Sequence, residues 1–193
     1  YGLRREDQVL PSLRTRGAFL VKGISARVQM AGMYAKTTGA APRLLFPDGT
    51  ERPVCRRGKP NIREQFRTLW LAKRTGARAV VLECMALAPE LQWISEHSMV
   101  RATLGVITNA RRDHVEVMGQ SWEEIAGCLS NTIPRDGVLV VGDTRLAEFY
   151  APCAAERKSK LVAAGAQPVA GDSWHAENRA VALAVMIVRG TPG

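Results

Sequence analysis

The sequence predicts an α/β fold, a mostly parallel sheet flanked by helices. Its 193 residues alternate short β-branched runs with stretches of helical periodicity, and turn residues mark the joins. The first run, Gly17-Ala-Phe-Leu-Val21, reads as a buried strand. It follows a lead-in at 1–16. Pro42 to Pro60 is polar and Pro/Gly-rich, so residues 40–60 are expected to make a loop or hairpin excursion. From Ile62 to Thr75, Ile62, Phe66, Leu69 and Trp70 recur at helical spacing, and Gly76 is a stop signal. Ala77 to Leu82 is the next strand and runs into Glu83. Leu104-Gly-Val-Ile-Thr108 is another and ends at Asn109. Both are short and apolar throughout, as strands covered on both faces are.

Ser121-Trp-Glu-Glu124 has the form of a capping box, and Ile125, Cys128 and Leu129 continue that helix. Pro134-Arg-Asp-Gly137 is a turn leading into the strand Gly137-Val-Leu-Val-Val141. Helices over Arg145–Tyr150 and Asn178–Val188 complete the set. There is no internal repeat or low-complexity tract, so residues 1–193 are expected to form a single domain.

Composition narrows the classes of function. Hydrophobic residues at 46% and charged residues at 23% exclude a largely disordered chain. No run reaches the ~18 apolar residues that a spanning helix needs. The opening Tyr-Gly-Leu-Arg-Arg-Glu-Asp-Gln is too polar for a signal peptide. Cys55, Cys84, Cys128 and Cys153 stand far apart, which argues against a zinc site or a disulfide framework and for a reducing, cytoplasmic setting. Lys plus Arg number 27 against 18 Asp plus Glu, a net charge of +9. The densest basic group, Arg52, Arg56, Arg57, Lys59 and Arg63, contains no aromatic residue to stack a base, so no nucleic-acid partner is expected. A nucleotide, an anionic small substrate or an acidic polymer accounts for the charge.

Open parallel sheets bind ligands beyond the carboxyl ends of their strands. Glu83 and Asn109 stand at two such ends, with Asp113 and His114 shortly after Asn109. A carboxylate directly after a buried strand is costly unless paired, hydrogen-bonded or bound to a cation. Glu83 therefore reads either as a Mg²⁺ ligand or as a helix cap or Arg partner. His114 reads either as a metal ligand, with Asp113 or Glu116 orienting it or binding beside it, or as a satisfied structural histidine. Lys36, Thr37 and Thr38 before Gly39 form a phosphate or carboxylate cradle or an ordinary turn. Gly23-Ile-Ser25 begins as a phosphate-binding loop would, but no Gly-Lys-Ser or Gly-Lys-Thr follows.

The blocks Ala35-Lys-Thr-Thr-Gly39, Pro42-Arg43, Gly58-Lys-Pro-Asn-Ile-Arg-Glu-Gln65, Glu83-Cys-Met-Ala86, Gly105-Val-Ile-Thr-Asn109, Asp113-His114, Val117-Met-Gly119 and Thr132-Ile-Pro134 occur in consistent order across residues 17–150. Together they resemble the poly-γ-glutamate synthase ligase subunit, the CapB/PgsB family, which is similar to the Mur ligases. The resemblance implies a Mur-type central, ATP-binding domain. It also implies an ATP- and Mg²⁺-dependent amide ligase that joins glutamate to a γ-glutamyl polymer through an acyl phosphate. By position, Glu83 resembles the Mg²⁺-binding glutamate and His114 the second-metal histidine, with Asp113 beside it. Gly23, Ser25, Asn109 and Asn178 would serve the nucleotide, Asn178 lying in a worn His175-Ala-Glu-Asn178 segment. Lys36, Thr37, Thr38 and Asn61 would face the substrate.

Implied partners are glutamate, the γ-glutamyl polymer and membrane-embedded synthase subunits at the inner face of the plasma membrane; self-association stays open. The sequence departs from the family pattern at Ala40, where a further Thr is usual, and at Glu116, where Asp is expected. Only Ala26 to Tyr34 separates Ser25 from Ala35, too little for the rest of a phosphate loop and its helix. Either the loop is lost and the domain is a catalytically inactive binder of an acidic polymer or partner, or loop residues are missing from a sequence that breaks off mid-motif. The second is the expectation, as is a further C-terminal stretch beyond Gly193.

Overall fold

A computed structural model describes residues 18–22, 33–36, 43–45, 50–53, 63–74, 79–84, 86–142, 144–165, 180–185 and 187–188. The strands are β1 (Ala18–Lys22), β2 (Met33–Lys36), β3 (Arg43–Leu45), β4 (Glu51–Pro53), β5 (Ala79–Glu83), β6 (Leu104–Ile107), β7 (Val138–Val141) and β8 (Lys160–Ala163). They form one sheet in the order β4-β3-β2-β5-β1-β6-β7-β8. From β2 to β8 every neighbouring pair is parallel, while β2–β3 and β3–β4 are antiparallel. The Pro/Gly-rich excursion thus contributes an antiparallel ribbon on one edge.

The helices are α1 (Glu64–Arg74), α2 (Pro89–Trp93), α3 (Val115–Met118), α4 (Trp122–Leu129) and α5 (Thr144–Glu156), with a π-helical run Ile94–Val100 continuing α2 and a 3₁₀ turn Ser130–Thr132 after α4. Helical backbone also spans 180–185 and 187–188. The capping box forms as the sequence predicts: the Ser121 hydroxyl accepts from the Glu124 amide at 3.1 Å, and Glu124 Oε2 accepts from the Ser121 amide at 3.0 Å.

Strand sides alternate between two cores. Ile107, Leu139 and Val141 pack with Ile125, Leu129, Leu146 and Tyr150, beneath α4 and α5. Leu104, Val106 and Val140 face the opposite layer with Val181, where Ala184, Val185 and Val188 of the late helix cover them. Burial on both faces is why these strands read as unbroken apolar runs. Buried Tyr150 donates its hydroxyl to the Ala126 carbonyl at 2.9 Å, fixing α5 against α4.

Three elements depart from the sequence reading. Residues 33–36 form a strand, although Ala35-Lys36 had read as the start of a turn or cradle. The fifth helix runs past Tyr150 to Glu156, with Pro152 inside it. Its last turn is held by buried Ala154 and by the Arg157 amide donating to the Cys153 carbonyl. Lys160–Ala163 forms the last strand; partly exposed, with charged residues around it, it lacks the apolar signature of a central strand.

Candidate functional site

The strand order places β1 between β5 and β6, and the chain departs from β1 toward β2 on one side while β6, β7 and β8 succeed one another on the other. The carboxyl end of β1 is therefore a topological switch point, the place where an open α/β sheet forms a ligand crevice. Register puts Glu83 directly beside Val21, and Lys22 beside Ile107. Lys36 ends β2 opposite Leu82, one residue before Glu83. Thr108 and Asn109 follow β6 at the same edge. Gly23, Ser25, Thr37, Thr38, Asn61 and Asn178 lie outside the described residues, and of Lys36 only the backbone is described.

The edge is held by close backbone packing. The Gly142 amide donates to the Ile107 carbonyl at 3.0 Å, bringing the end of β7 against the end of β6. A Cβ at Gly142 would stand 1.9 Å from the Thr108 carbonyl oxygen, so only glycine allows this approach. Thr108 is buried, and its hydroxyl receives the Asn109 side-chain amide at 3.4 Å. Asn109 Oδ1 accepts from the Arg111 amide at 3.2 Å, turning the chain outward toward Asp113 and His114. On the β5 side, fully buried Gln65 sends Nε2 to the Glu83 carbonyl at 3.4 Å. Sequence inspection had Gln65 only as part of a motif block; that it backs Glu83 depends on which face of α1 is buried.

His114 begins α3 in the left-handed region, φ 49°, ψ 43°, and its carbonyl accepts from the Val117 and Met118 amides, each at 2.9 Å. Left-handed backbone at a residue with a Cβ costs about 1–2 kcal/mol. The ring lies 3.7 Å from an Asp113 carboxylate oxygen and 3.6 Å from a Glu116 oxygen, with the His114 side chain 46% exposed. It is an exposed imidazole between two carboxylates. Both Glu83 and the segment carrying His114 thus leave the carboxyl edge of strands that flank β1. Among the described residues, no group of three His, Cys, Asp or Glu side chains is gathered as a metal-ligand cluster.

The described fold matches that of folylpolyglutamate synthases, a Mur-ligase type. The bifunctional folylpolyglutamate synthase/dihydrofolate synthase with Mn, AMPPNP and L-glutamate bound superposes with a TM-score of 0.62 at 18% identity, over 99% of this chain and 59% of that one. The Yersinia pestis CO92 enzyme of the same name gives 0.63 at 18% identity, with the same shares of 99% and 59%. No protein-family model matches the chain. In sequence it is 40% identical over 154 residues to the PGA synthase CapB of Bacillus subtilis strain 168, covering 77% of this chain and 39% of that protein. It is 39% identical over 132 residues to the capsule biosynthesis protein CapB of Bacillus anthracis, 67% of this chain and 28% of that protein. The chain is a relative of the CapB proteins, and the family resemblance read from its motifs is borne out. It spans well under half the length of the curated relatives it matches.

Proposed function

We propose that the chain is the nucleotide-binding part of an ATP-dependent ligase that adds glutamate to a γ-glutamyl chain. The observation that supports this reading is that Glu83, the Lys36 position and Asn109 stand at the carboxyl ends of strands beside β1, with His114 five residues beyond Asn109. Kinship with a named PGA synthase supplies the substrate class.

The donor chemistry of this edge suits a hard divalent cation. Glu83 and Asp113 offer carboxylate oxygens and His114 an imidazole nitrogen, and Mg²⁺ is commonly bound by one or two carboxylates together with substrate phosphates. Such an ion, when bound, would neutralise charge on the transferring phosphoryl group. This chain's own residues do the rest. The register of β1 against β5 sets Glu83 beside Val21 at the end of β1. The Asn109–Arg111 turn carries the chain out of β6 toward Asp113 and His114. In the reaction, a carboxylate oxygen of the acceptor attacks the γ-phosphorus of ATP and ADP leaves, giving an acyl phosphate. The amine of the incoming glutamate then attacks the acyl carbon, releases phosphate and loses a proton as the amide forms. Lys36, with Thr37 and Thr38, would hold the anionic groups together during both displacements. Residues 1–193 would act as one central domain, Gly23, Ser25, Asn109 and Asn178 would attend the nucleotide, and Asn61 the substrate. Membrane-embedded subunits would be the partners of the intact assembly.

The test is glutamate-dependent release of ADP by the intact protein, measured against Glu83→Ala. Turnover should fall at least about a hundredfold in the variant, and wild-type protein that binds ATP yet never turns over would sink the reading. A second reading, an inactive domain that binds an acidic polymer, is favoured by the missing Gly-Lys-Ser/Thr step after Gly23-Ile-Ser25. Calorimetry with ATP and Mg²⁺ separates the two, since the inactive domain gives no heat with nucleotide.

A further inference from the structure

The chain's positive charge is unevenly placed. Residues 52–78 carry nine Lys and Arg and a single acid, Glu64, so this stretch accounts for most of the net +9. Its helix, α1, sorts its residues by face. Gln65, Thr68, Leu69 and Ala72 are buried on one side. Arg63, Arg67, Trp70 and Arg74, at steps of four, three and four, fall on the opposite side with Lys73 on its flank, and all five are exposed. Among the described residues, Arg67, Lys73 and Arg74 form no ion pair. Like charges at helical spacing repel one another, a cost that an anion lying along the face would relieve.

The direction of the helix ties this face to the carboxyl edge. Near its start, Gln65 Nε2 donates to the Glu83 carbonyl at 3.4 Å, at the end of β5. From Arg74 the chain re-enters the sheet at Ala79, the first residue of β5. The basic line therefore begins beside Glu83 and runs down the exposed side of α1 toward the amino edge. At a rise of about 1.5 Å per residue, Arg67 and Arg74 stand about 10 Å apart along the axis.

We propose that this face of α1 holds the γ-glutamyl chain as an extended polyanion running to the carboxyl edge. The choice of occupant rests on the ligase reading above. A γ-linked chain keeps a free α-carboxylate on every residue, so a row of cations dominated by guanidinium groups meets a row of carboxylates, the partner Arg binds best. Nucleic acid fits less well, because the aromatic ring on this face is Trp70 and the Arg74 guanidinium lies 4.6 Å from its centre, occupying a surface on which a base would stack. A lipid surface also fits less well, since α1 turns its apolar side into the core.

The probe is a γ-glutamyl decamer, titrated calorimetrically into the full chain without nucleotide. Saturable binding that weakens as salt is raised is expected. Reversing the charges together, with Arg67→Glu, Lys73→Glu and Arg74→Glu, should weaken it roughly tenfold or more, and the neutral set Arg67→Gln, Lys73→Gln and Arg74→Gln should fall between. All three side chains are exposed, so neither set disturbs the core. With the decamer as acceptor, the charge-reversed protein should show a raised KM for the decamer, with kcat and the KM for ATP unchanged. No binding heat in the wild type, equal affinity in the charge-reversed protein, or tighter binding of single-stranded oligothymidylate or phosphatidylglycerol vesicles than of the decamer would each overturn the proposal. A wild type that binds the decamer through this face yet releases no ADP would uphold the face and sink the ligase reading.

Discussion

The two edges of the sheet each present a histidine, and their surroundings are opposite. At the carboxyl edge His114 is 46% exposed and stands between the carboxylates of Asp113 and Glu116. At the amino edge His97 packs against Trp93 at a tilt of 43°, and burial, with the Arg157 and Arg135 guanidinium groups nearby, holds it neutral down to about pH 4. A cation is attracted to the first ring and repelled from the second. Residue type alone therefore does not assign a metal role; the sign of the neighbouring charge does. That comparison is why the proposed cation site uses the exposed, left-handed His114 and not the half-buried His97.

The largest effect expected from breaking this comparison is on turnover. His114→Gly should lower glutamate-dependent ADP release about a hundredfold or more, as loss of a group acting on developing charge does. The same substitution should raise the unfolding free energy by about 0.5–1 kcal/mol, because glycine accepts the left-handed backbone that histidine adopts at a cost. Turnover assays and urea unfolding of one variant check both signs. If stability falls instead, the strain at His114 is not what the backbone angles imply.

Next comes the joint that builds the carboxyl edge. Gly142→Ala places a methyl against the Thr108 carbonyl, where the approach would be 1.9 Å. Either β7 moves away from β6 or the Gly142–Ile107 hydrogen bond breaks, at a cost of about 3 kcal/mol. A drop in the urea midpoint with an unchanged slope is the expected signature.

His97 gives a smaller effect, visible only in acid. The unfolded chain takes a proton on this residue near its ordinary value of 6.5, whereas the folded chain refuses it until about 4. Between those values the unfolded state binds more protons, so stability falls as pH is lowered through the window and is unaffected by His97 above it. Urea midpoints at pH 7 and pH 5 should differ less in His97→Gln than in wild type; an equal difference would mean that the folded ring titrates normally.

Much of this architecture was legible in the chain, for reasons that separate the two edges again. Strands β6 and β7 are covered on both faces, so they read as unbroken apolar runs, and β1 and β5 stand out in the sequence as similar runs that end in a charged residue. The Ser121–Glu124 box is a local signal and survived into the structure as hydrogen bonds. The positions of Glu83 and Asn109 at the carboxyl edge were legible because each follows an apolar run that forms a strand. β8 and Lys36's strand were not found, because edge and near-edge strands carry mixed polarity. A pocket at the amino edge, lined by Glu96, His97, Arg101, Arg135 and Asp136, was invisible for a different reason. Its residues come from Glu96–Arg101 and from the Arg135–Asp136 turn, and only the parallel pairing of β6 with β7 brings those segments together. His97 stands in Trp93-Ile-Ser-Glu-His-Ser, which has no motif spacing, and its burial depends on a π-wound turn that no periodicity announces.

The smallest effect sharpens the comparison in pH. At the start of α4, near the carboxyl edge, Glu124 accepts from the Ser121 amide at 3.0 Å and the Gln120 amide at 2.6 Å. Those backbone donors hold its pKa below the ordinary 4.5, Ser121 first and Gln120 second. A depressed carboxylate contributes stability that is present above 4.5 and disappears as the pH falls through the lowered value. Acid therefore withdraws the two contributions to stability in turn, that of His97 between 6.5 and about 4 and that of the α4 cap below 4.5. Ser121→Ala should cost about 1 kcal/mol at neutral pH by orphaning the Glu124 amide. Its cost should shrink once Glu124 is protonated, because the reciprocal half of the box has already gone. Glu124→Gln keeps an acceptor oxygen without the charge, so it should flatten the lower acid limb and leave the His97 window intact. Urea midpoints of the two variants across pH 3 to 7 test this order, and a single shared transition in both would show that the edges unfold as one proton-linked unit.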